Sequence, residues 1–364
     1  MSNGCPRCGE YAADGKSFCG ACGSPLGGIN TERPHQGPVS GGPARSYQPA
    51  GSGRIQPGPV EIFLVMVCIF FLFIVIFETI TMFIHSPDIF SFLSDKSLSF
   101  FVLVPLPKVI FSLGGLALQI YWAAVVSIIL SCVVTTVQKL IEAARSPGGI
   151  TKPGIIEGTA ALWVSVLFCA MFAISFIVLL VQFMIGSDAT TPDFGSKIEQ
   201  MFLLADAAVW EEIVTRLLLI GVPMAVISLI ITKKKESLKC LLGGFGMSMT
   251  AFILIIVSGA IFGLAHYSGW DDQAWKVLTA GITGAFLGYV FVRFGLYASI
   301  LMHFATNYLS SFDWMGVSWI GGVMVLLIVV AGFAALLYII MKLAGSRESI
   351  DSLPIFWNGY AKKE

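Results

Sequence analysis

The residues best suited to chemistry lie in three apolar segments of the chain, where ionisable side chains are costly and usually mark function. One segment carries a pair of glutamates followed by an arginine, the second a phenylalanine followed by a histidine, and the third a histidine followed by an asparagine. These residues are Glu211, Glu212, Arg216, Phe262, His266, His303 and Asn307. Their types and spacing predict hydrolytic chemistry inside a membrane.

The glutamate pair is predicted to divide into two roles. Residues four apart lie on one face of a helix, so Glu212 and Arg216 are expected to neutralise each other. Glu211 lies about 100° around the helix and is free of that pair. A carboxylate in a dry pocket can hold and release a proton near neutral pH, which suits Glu211 to the role of general base.

The two histidines are predicted to complete the site. His303 and Asn307 are also four apart and offer two neighbouring donors, which is how side chains build an oxyanion hole. Phe262 lies one turn before His266 and can wall one side of its ring. A water held between Glu211 and His266, facing those donors, would be equipped for amide hydrolysis.

Other interpretations of the same residues stay open at this stage. A buried Glu–Arg pair can be purely structural, and a histidine in an apolar helix can serve packing alone. One glutamate and two histidines are also a zinc ligand set, so a zinc-dependent metalloprotease using the same residues is an alternative. Alternatives of another class are a membrane carrier with a proton relay through Glu211, His266 and His303, and a catalytically idle scaffold.

Composition predicts the elements that must position these residues. The chain has 56% apolar and 12% charged residues and a formal net charge of zero, which excludes the basic surface of a nucleic-acid binder. We expect an all-α polytopic membrane protein with about eight transmembrane helices. The spans are predicted near 60–84, 113–138, 158–185, 198–231, 246–268, 274–292, 296–311 and 319–341. The stretch 98–111 is apolar but contains Pro105 and Pro107, which favours an interfacial or re-entrant loop.

The loop charges predict an orientation. With eight spans, most Lys and Arg residues fall on the side of both termini, including the cluster at Lys233, Lys234 and Lys235. The positive-inside rule then places both termini in the cytoplasm of a multi-pass protein, which we expect in the plasma membrane of a prokaryote. Glu211 precedes Lys233 by 22 residues, or about 33 Å of helix, which would put it toward the outer leaflet.

The N-terminal region is predicted to be a zinc-binding head on a tether. Two C-x2-C pairs, formed by Cys5, Cys8, Cys19 and Cys22, are typical of a tetrahedral zinc site, and a segment this short needs such a constraint to fold. Two disulfides are the alternative, but a cytoplasmic head keeps its thiols reduced. We therefore expect a structural zinc ribbon over 1–26, a flexible Gly/Pro-rich linker over 27–58 and a transmembrane domain over 59–345. A cytoplasmic tail would follow over 346–364.

The three motifs resemble a known family. E-E-x-x-x-R at Glu211, F-x-x-x-H at Phe262 and H-x-x-x-N at His303, in this order on separate spans, are similar to those of the CPBP family of CAAX proteases and bacteriocin-processing enzymes, also called Abi. Its best-known branch is the type II CAAX prenyl endopeptidase. The resemblance covers roughly 198–312. The Cys-x2-Cys head is separately similar to the short zinc ribbons of prokaryotic membrane proteins.

This resemblance implies a protease that cleaves membrane-tethered or lipidated peptides or proteins, either in CAAX-type processing or in peptide maturation. It implies that Glu211 and His266 activate water, that His303 and Asn307 stabilise the oxyanion, and that Glu212, Arg216 and Phe262 support them. It favours a glutamate-type site without a catalytic metal, although spacing alone leaves a metal open. The expected partners are the lipid bilayer, the substrate and a protein that the ribbon would recruit.

Overall fold

The computed structural model describes residues 58–103, 107–146, 149, 154–186, 195–269 and 274–345. The predicted zinc ribbon with its four cysteines, all of the linker except Gly58, and the predicted tail lie outside the described residues. The described part is nearly all helical, which confirms the predicted all-α class. Its helices are α1 (Pro59–Leu93), α2 (Leu116–Arg145), α3 (Ile155–Gly158), α4 (Ala160–Met184), α5 (Lys197–Glu212), α6 (Val222–Thr232), α7 (Met249–Gly269), α8 (Ala274–Phe294), α9 (Leu296–Asn307), α10 (Ser311–Trp314) and α11 (Ser318–Gly345).

Seven helical stretches of the described chain are long and apolar enough to cross a bilayer, as expected for an integral membrane protein. They are Pro59–Leu93, Leu116–Arg145, Ala160–Met184, Lys197–Thr232, Met249–Tyr267, Trp275–Phe294 and Ser318–Ala344. The predicted segment at 296–311 is instead the 12-residue helix α9. At 1.5 Å per residue it is about 18 Å long, too short for a hydrocarbon core of about 30 Å. The count of about eight spans therefore becomes seven, with α9 as a buried inner helix.

Two further differences concern the first third of the chain. Helix α1 does not end near residue 84 but continues through Pro87 to Leu93. The stretch expected to be a loop around Pro105 and Pro107 forms an antiparallel hairpin of β1 (Ser97–Leu103) and β2 (Pro107–Gly114). The prolines that argued against a span are compatible with a hairpin, because one stands between the strands and the other begins β2.

Three helical segments position the predicted site. Ser196 caps the N-terminus of helix α5, because its hydroxyl accepts a hydrogen bond from the backbone N–H of Glu199 at 3.2 Å. After Glu212 the helix widens into a π-helical segment, Ile213–Gly221, before α6 continues it. Such π segments inside α-helices frequently occur at functional sites. Here the widened turn follows directly on the two glutamates.

Helix α7 is held against α8 by close backbone contact. A Cβ atom on Gly263 would come within 2.5 Å of the Val277 carbonyl oxygen and 3.0 Å of the Gly281 Cα, so only glycine fits. Small residues at such crossings let helices approach closely in a membrane. Because Gly263 is three residues before His266, this packing fixes the turn that carries the histidine.

Candidate active site

Glu212 lies at the centre of the predicted residues and is fully buried. Its Oε2 atom is 3.3 Å from Nε of Arg216, which confirms the ion pair expected from their spacing. The Ser299 hydroxyl donates to the same oxygen, and Nδ1 of His303 lies 3.0 Å from Oε1. A buried carboxylate with a cation and two further donors satisfies the condition under which charge is tolerated away from water.

Arg216 is held from a second direction. Its NH1 nitrogen donates to the Ser258 hydroxyl at 3.1 Å, and that hydroxyl donates to the Thr215 carbonyl at 2.8 Å. The guanidinium carbon lies 4.9 Å from the centre of the Phe262 ring, within the range of a cation–π contact. Arg216 therefore links α7 to the π segment while it neutralises Glu212.

His303 bridges the two glutamates. Because Glu212 is paired with Arg216 and is an acceptor, Nδ1 of His303 carries the proton that it donates to Glu212. The other ring nitrogen, Nε2, lies 3.7 Å from Oε2 of Glu211. That separation exceeds a direct hydrogen bond, but one water on the cavity side can contact both atoms.

His266 has its tautomer set by its own helix. Nδ1 lies 2.8 Å from the Phe262 carbonyl oxygen, which can only accept, so Nδ1 carries a proton. In the neutral ring Nε2 is then an acceptor. The Phe262 ring contacts that of His266 edge-on, with centroids 4.6 Å apart, as the spacing predicts. The centroids of the Phe262 and His303 rings are 6.0 Å apart, so Phe262 packs against both histidines.

A cavity of about 280 Å³ brings the predicted catalytic residues together. Glu211, His266, His303 and Asn307 all line it, whereas Glu212 and Arg216 lie behind its wall. Asn307 uses one amide hydrogen to donate to the Leu204 carbonyl at 3.3 Å, which leaves its second for the cavity. Glu211 is 19% exposed and Glu212 is 0% exposed, so the pair divides into one accessible and one buried carboxylate.

Several lining residues are not apparent from sequence motifs. Asp206 lines the cavity and accepts a hydrogen bond from the Tyr121 hydroxyl. Trp210 and Lys276 line it too, as do residues 98–101 of strand β1.

Ser299 was missed as a partner of Glu212, although it lies four residues before His303 and so on the same helix face.

The described residues contain no preformed metal site. Within the part of the chain that the structure describes, no group of three or more His, Cys, Asp or Glu side chains could hold an ion. Nδ1 of His303 and Nδ1 of His266 are both donors, to the Glu212 carboxylate and to the Phe262 carbonyl, which leaves Nε2 as the free nitrogen of each ring. A metal-binding histidine makes the same outer contact. The zinc-dependent alternative therefore stays a prediction, and no step below uses a metal at this site.

Comparison with known proteins gives one match. Residues 198–309 match the family model described as Type II CAAX prenyl endopeptidase Rce1-like. The matched region is less than half of the chain, but it contains all seven predicted site residues. It supports the resemblance seen in the motifs, together with protease activity in a membrane. No curated protein and no solved structure matches the chain.

Proposed function

We propose that this protein is an intramembrane endopeptidase that hydrolyses a peptide bond of a membrane-associated substrate. The observation that carries the proposal is the cavity into which Glu211, His266, His303 and Asn307 converge from three helices. An accessible carboxylate, an acceptor imidazole and two donors facing one space are the groups that amide hydrolysis requires. The family match over 198–309 points to the same chemistry.

In this proposal a water is held by Glu211 and by Nε2 of His266. Glu211 takes a proton from the water as its oxygen attacks the carbonyl carbon of the scissile bond. The proton then passes to the leaving nitrogen as the carbon–nitrogen bond breaks, which yields a carboxylate and an amine. Nδ1 of His266 is committed to the Phe262 carbonyl, so the ring presents the acceptor nitrogen that this role needs.

The oxyanion that forms after the water attacks, and before the carbon–nitrogen bond breaks, would be stabilised by His303 and Asn307. For Nε2 of His303 to donate while Nδ1 donates to Glu212, the ring must be an imidazolium. The two positive charges of Arg216 and His303 then equal the two negative charges of Glu211 and Glu212. Glu212 and Arg216 support the reaction by holding His303 in place.

The substrate class follows from the surroundings of the site. The cavity lies among helices that cross the bilayer, so a substrate must be a membrane-tethered or lipidated peptide or protein. The family match favours CAAX-type processing, and maturation of a membrane peptide is the alternative. We retain a prokaryotic plasma membrane as a proposal. The prediction that both termini are cytoplasmic rests on eight spans. It is not retained, because an odd number of spans places the two termini on opposite sides of the bilayer.

A matched pair of histidines tests the catalytic proposal. His85 in α1 has the same local contact as His266, with Nδ1 3.0 Å from the carbonyl oxygen four residues earlier, but it does not line the cavity. Cleavage of membrane-tethered peptides by the full chain in proteoliposomes should fall roughly hundred- to ten-thousand-fold in His266→Gln. His85→Gln should cleave at the wild-type rate. Equal rates in both variants would contradict a catalytic His266.

The N-terminal head is a separate proposal. We propose that Cys5, Cys8, Cys19 and Cys22 bind one structural zinc and that this ribbon recruits a protein partner. Metal analysis of the purified full chain should give one zinc, and Cys19→Ser should lose it without loss of peptidase activity.

The proposal that the catalytic site works without a metal has its own test. If a strong chelator stops cleavage in a chain that begins at Gly58, and so lacks the ribbon, that proposal is wrong.

A further inference from the structure

The hairpin has one edge inside the cavity and one outside it. The sheet has only two strands among the described residues, so the outer edge of each strand has no strand partner. Strand β1 lines the cavity with residues 98–101, whereas no residue of β2 does. Strand β2 is exposed along most of its length. The two free edges of one small sheet therefore face different surroundings.

Two contacts show which main-chain groups of β1 face the cavity. The indole Nε1 of Trp210 donates to the Phe101 carbonyl at 2.9 Å, so that carbonyl points away from β2. The Gly115 N–H donates to the Lys96 carbonyl at 3.1 Å, which makes these two residues a hydrogen-bonded pair. Bonded and non-bonded pairs alternate, so Ser99, three residues further on and opposite Ser112, has its main-chain groups pointing outward. Ser99 and Phe101 are two apart and so share one edge. The bulge in the hairpin adds a residue to β2 and leaves β1 regular.

A substrate in this cavity needs such an edge. A peptide bond inside a helix has its N–H and C=O groups engaged and its carbonyl shielded, so the segment must be extended before water can attack. In the bilayer, unwound backbone groups have no water to bond and each unsatisfied group is costly. The free edge of β1 presents donors and acceptors beside Glu211, where an extended segment would lie.

We propose that β1 is the substrate-docking strand of this protease: an extended segment of the peptide adds to its outer edge, beside Ser99 and Phe101, as a third strand. The proposal rests on the endopeptidase function proposed above and specifies how its substrate binds. In strand addition of this kind, main-chain hydrogen bonds provide affinity, and neighbouring pockets determine which substrate side chains are accepted. Trp210 already occupies the Phe101 carbonyl, so pairing uses the Phe101 N–H and the groups of Ser99.

The first test changes the substrate and leaves the protein intact. A peptide that the wild-type chain cleaves in proteoliposomes is prepared with single N-methyl groups at successive residues on either side of the scissile bond. Because only the Ser99 carbonyl of this edge is left to accept from the substrate, KM should rise roughly ten-fold at one residue near the scissile bond and little at the residues beside it. A flat profile, or an equal rise at neighbouring residues, would overturn the docking strand.

The second test uses the two serines as a matched pair. Ser99→Pro and Ser112→Pro each remove one outward N–H and the same hydroxyl contact, but only Ser99 faces the cavity. Proline is tolerated at an edge position whose N–H points away from its partner strand. We expect KM to rise roughly ten-fold in Ser99→Pro, with a smaller change in kcat, and to stay at the wild-type value in Ser112→Pro.

The outcomes separate the two proposals. Equal KM values in both proline variants would overturn the docking strand while leaving the peptidase intact. If Ser99→Pro does not fold, the N-methyl series on the wild-type chain decides alone. If the wild-type chain cleaves no membrane-tethered peptide, the proposed function is wrong and the docking strand fails with it.

Discussion

Two buried glutamates of this chain, Glu212 and Glu78, have opposite surroundings. Both are fully buried in long apolar helices. Glu212 contacts Arg216, His303 and the Ser299 hydroxyl. Neither carboxyl oxygen of Glu78 has a hydrogen-bond partner among the residues that the structure describes. Burial is therefore the same for both carboxyl groups, and what distinguishes Glu212 from Glu78 is the set of donors around it.

The contrast predicts different charge states. An ionised carboxylate without partners is too costly to keep in a membrane interior, so Glu78 is expected to be the neutral acid. Glu212 has a cation and two further donors, so it is expected to be ionised. Glu78 lies in the middle of α1 and does not line the cavity, whereas Glu212 directs His303 toward Glu211.

The largest effect on stability is expected from replacing the carboxyl group of each glutamate by an amide. Glu212→Gln leaves Arg216 buried without its counter-ion, which should lower the free energy of unfolding by about 3–5 kcal/mol. Glu78→Gln replaces a neutral acid by a neutral amide of the same shape and should change it by less than about 1 kcal/mol. Denaturant unfolding in detergent or bicelles measures both. Equal losses would contradict the assigned charge states.

A double variant sharpens the same comparison. If the cost of Glu212→Gln is mainly the unpaired cation, adding Arg216→Met should recover about 2 kcal/mol of the unfolding free energy. Peptidase activity should stay lost, because His303 no longer has its carboxylate partner. Additive losses in the double variant would show that the two residues do not depend on each other.

The serines that share this environment give a smaller difference. Ser299 and Ser311 are both fully buried, but Ser299 donates to Glu212 and the Ser311 hydroxyl has no partner among the described residues. Ser299→Ala removes a bond to a charged group and should cost about 1.5–3 kcal/mol. Ser311→Ala should cost less than about 1 kcal/mol. A thermal unfolding series on the two variants measures the gap.

The smallest effect is expected from a third glutamate, which is partnered but lies outside the spans. Glu157 in α3 accepts hydrogen bonds from Lys342 and from the Tyr338 hydroxyl. Burial would raise the pKa of Glu157, but these hydrogen bonds outweigh it and hold the pKa below its ordinary value. A carboxyl group whose pKa is lowered by folding stabilises the folded protein at pH values above its unfolded-state pKa. That stabilisation is lost as the pH falls through the folded-state pKa.

The pH dependence can be isolated with one substitution. Because Lys342 is 48% exposed, the contribution should be below about 1 kcal/mol. The unfolding free energy should fall between about pH 6 and about pH 3, and Glu157→Gln should flatten that part of the profile. An unchanged profile in the variant would mean that the Glu157 contacts add nothing.

Helical spacing predicts much of the site because its motifs lie within single helices. Four-residue separations correctly predict the Glu212–Arg216 ion pair and the contact of Phe262 with His266. They also place His303 and Asn307 on one face, and both line the cavity. Which of these groups acts in catalysis is a prediction that only the proposed assays test.

The contacts that the sequence does not predict are those between elements. The bond from Ser299 to Glu212 joins residues 87 positions apart, and that from Trp210 to Phe101 joins residues 109 apart. Two prolines in a short apolar run predict a loop over 98–111, whereas pairing between the two strands makes it a hairpin. Glu78 lies toward the end of the predicted span 60–84, but the helix continues to Leu93 and Glu78 is fully buried.

The assignment of hydrolysis to Glu211, rather than to Asp206, which also lines the cavity, or to the buried Glu212 and Glu78, remains to be measured. It is tested most directly by the single-turnover cleavage rate of one membrane-tethered peptide by Glu211→Gln and by Glu78→Gln in proteoliposomes. We predict a loss of roughly hundred- to ten-thousand-fold in Glu211→Gln and a rate within about two-fold of wild type in Glu78→Gln. Cleavage by Glu211→Gln at the wild-type rate would contradict the account.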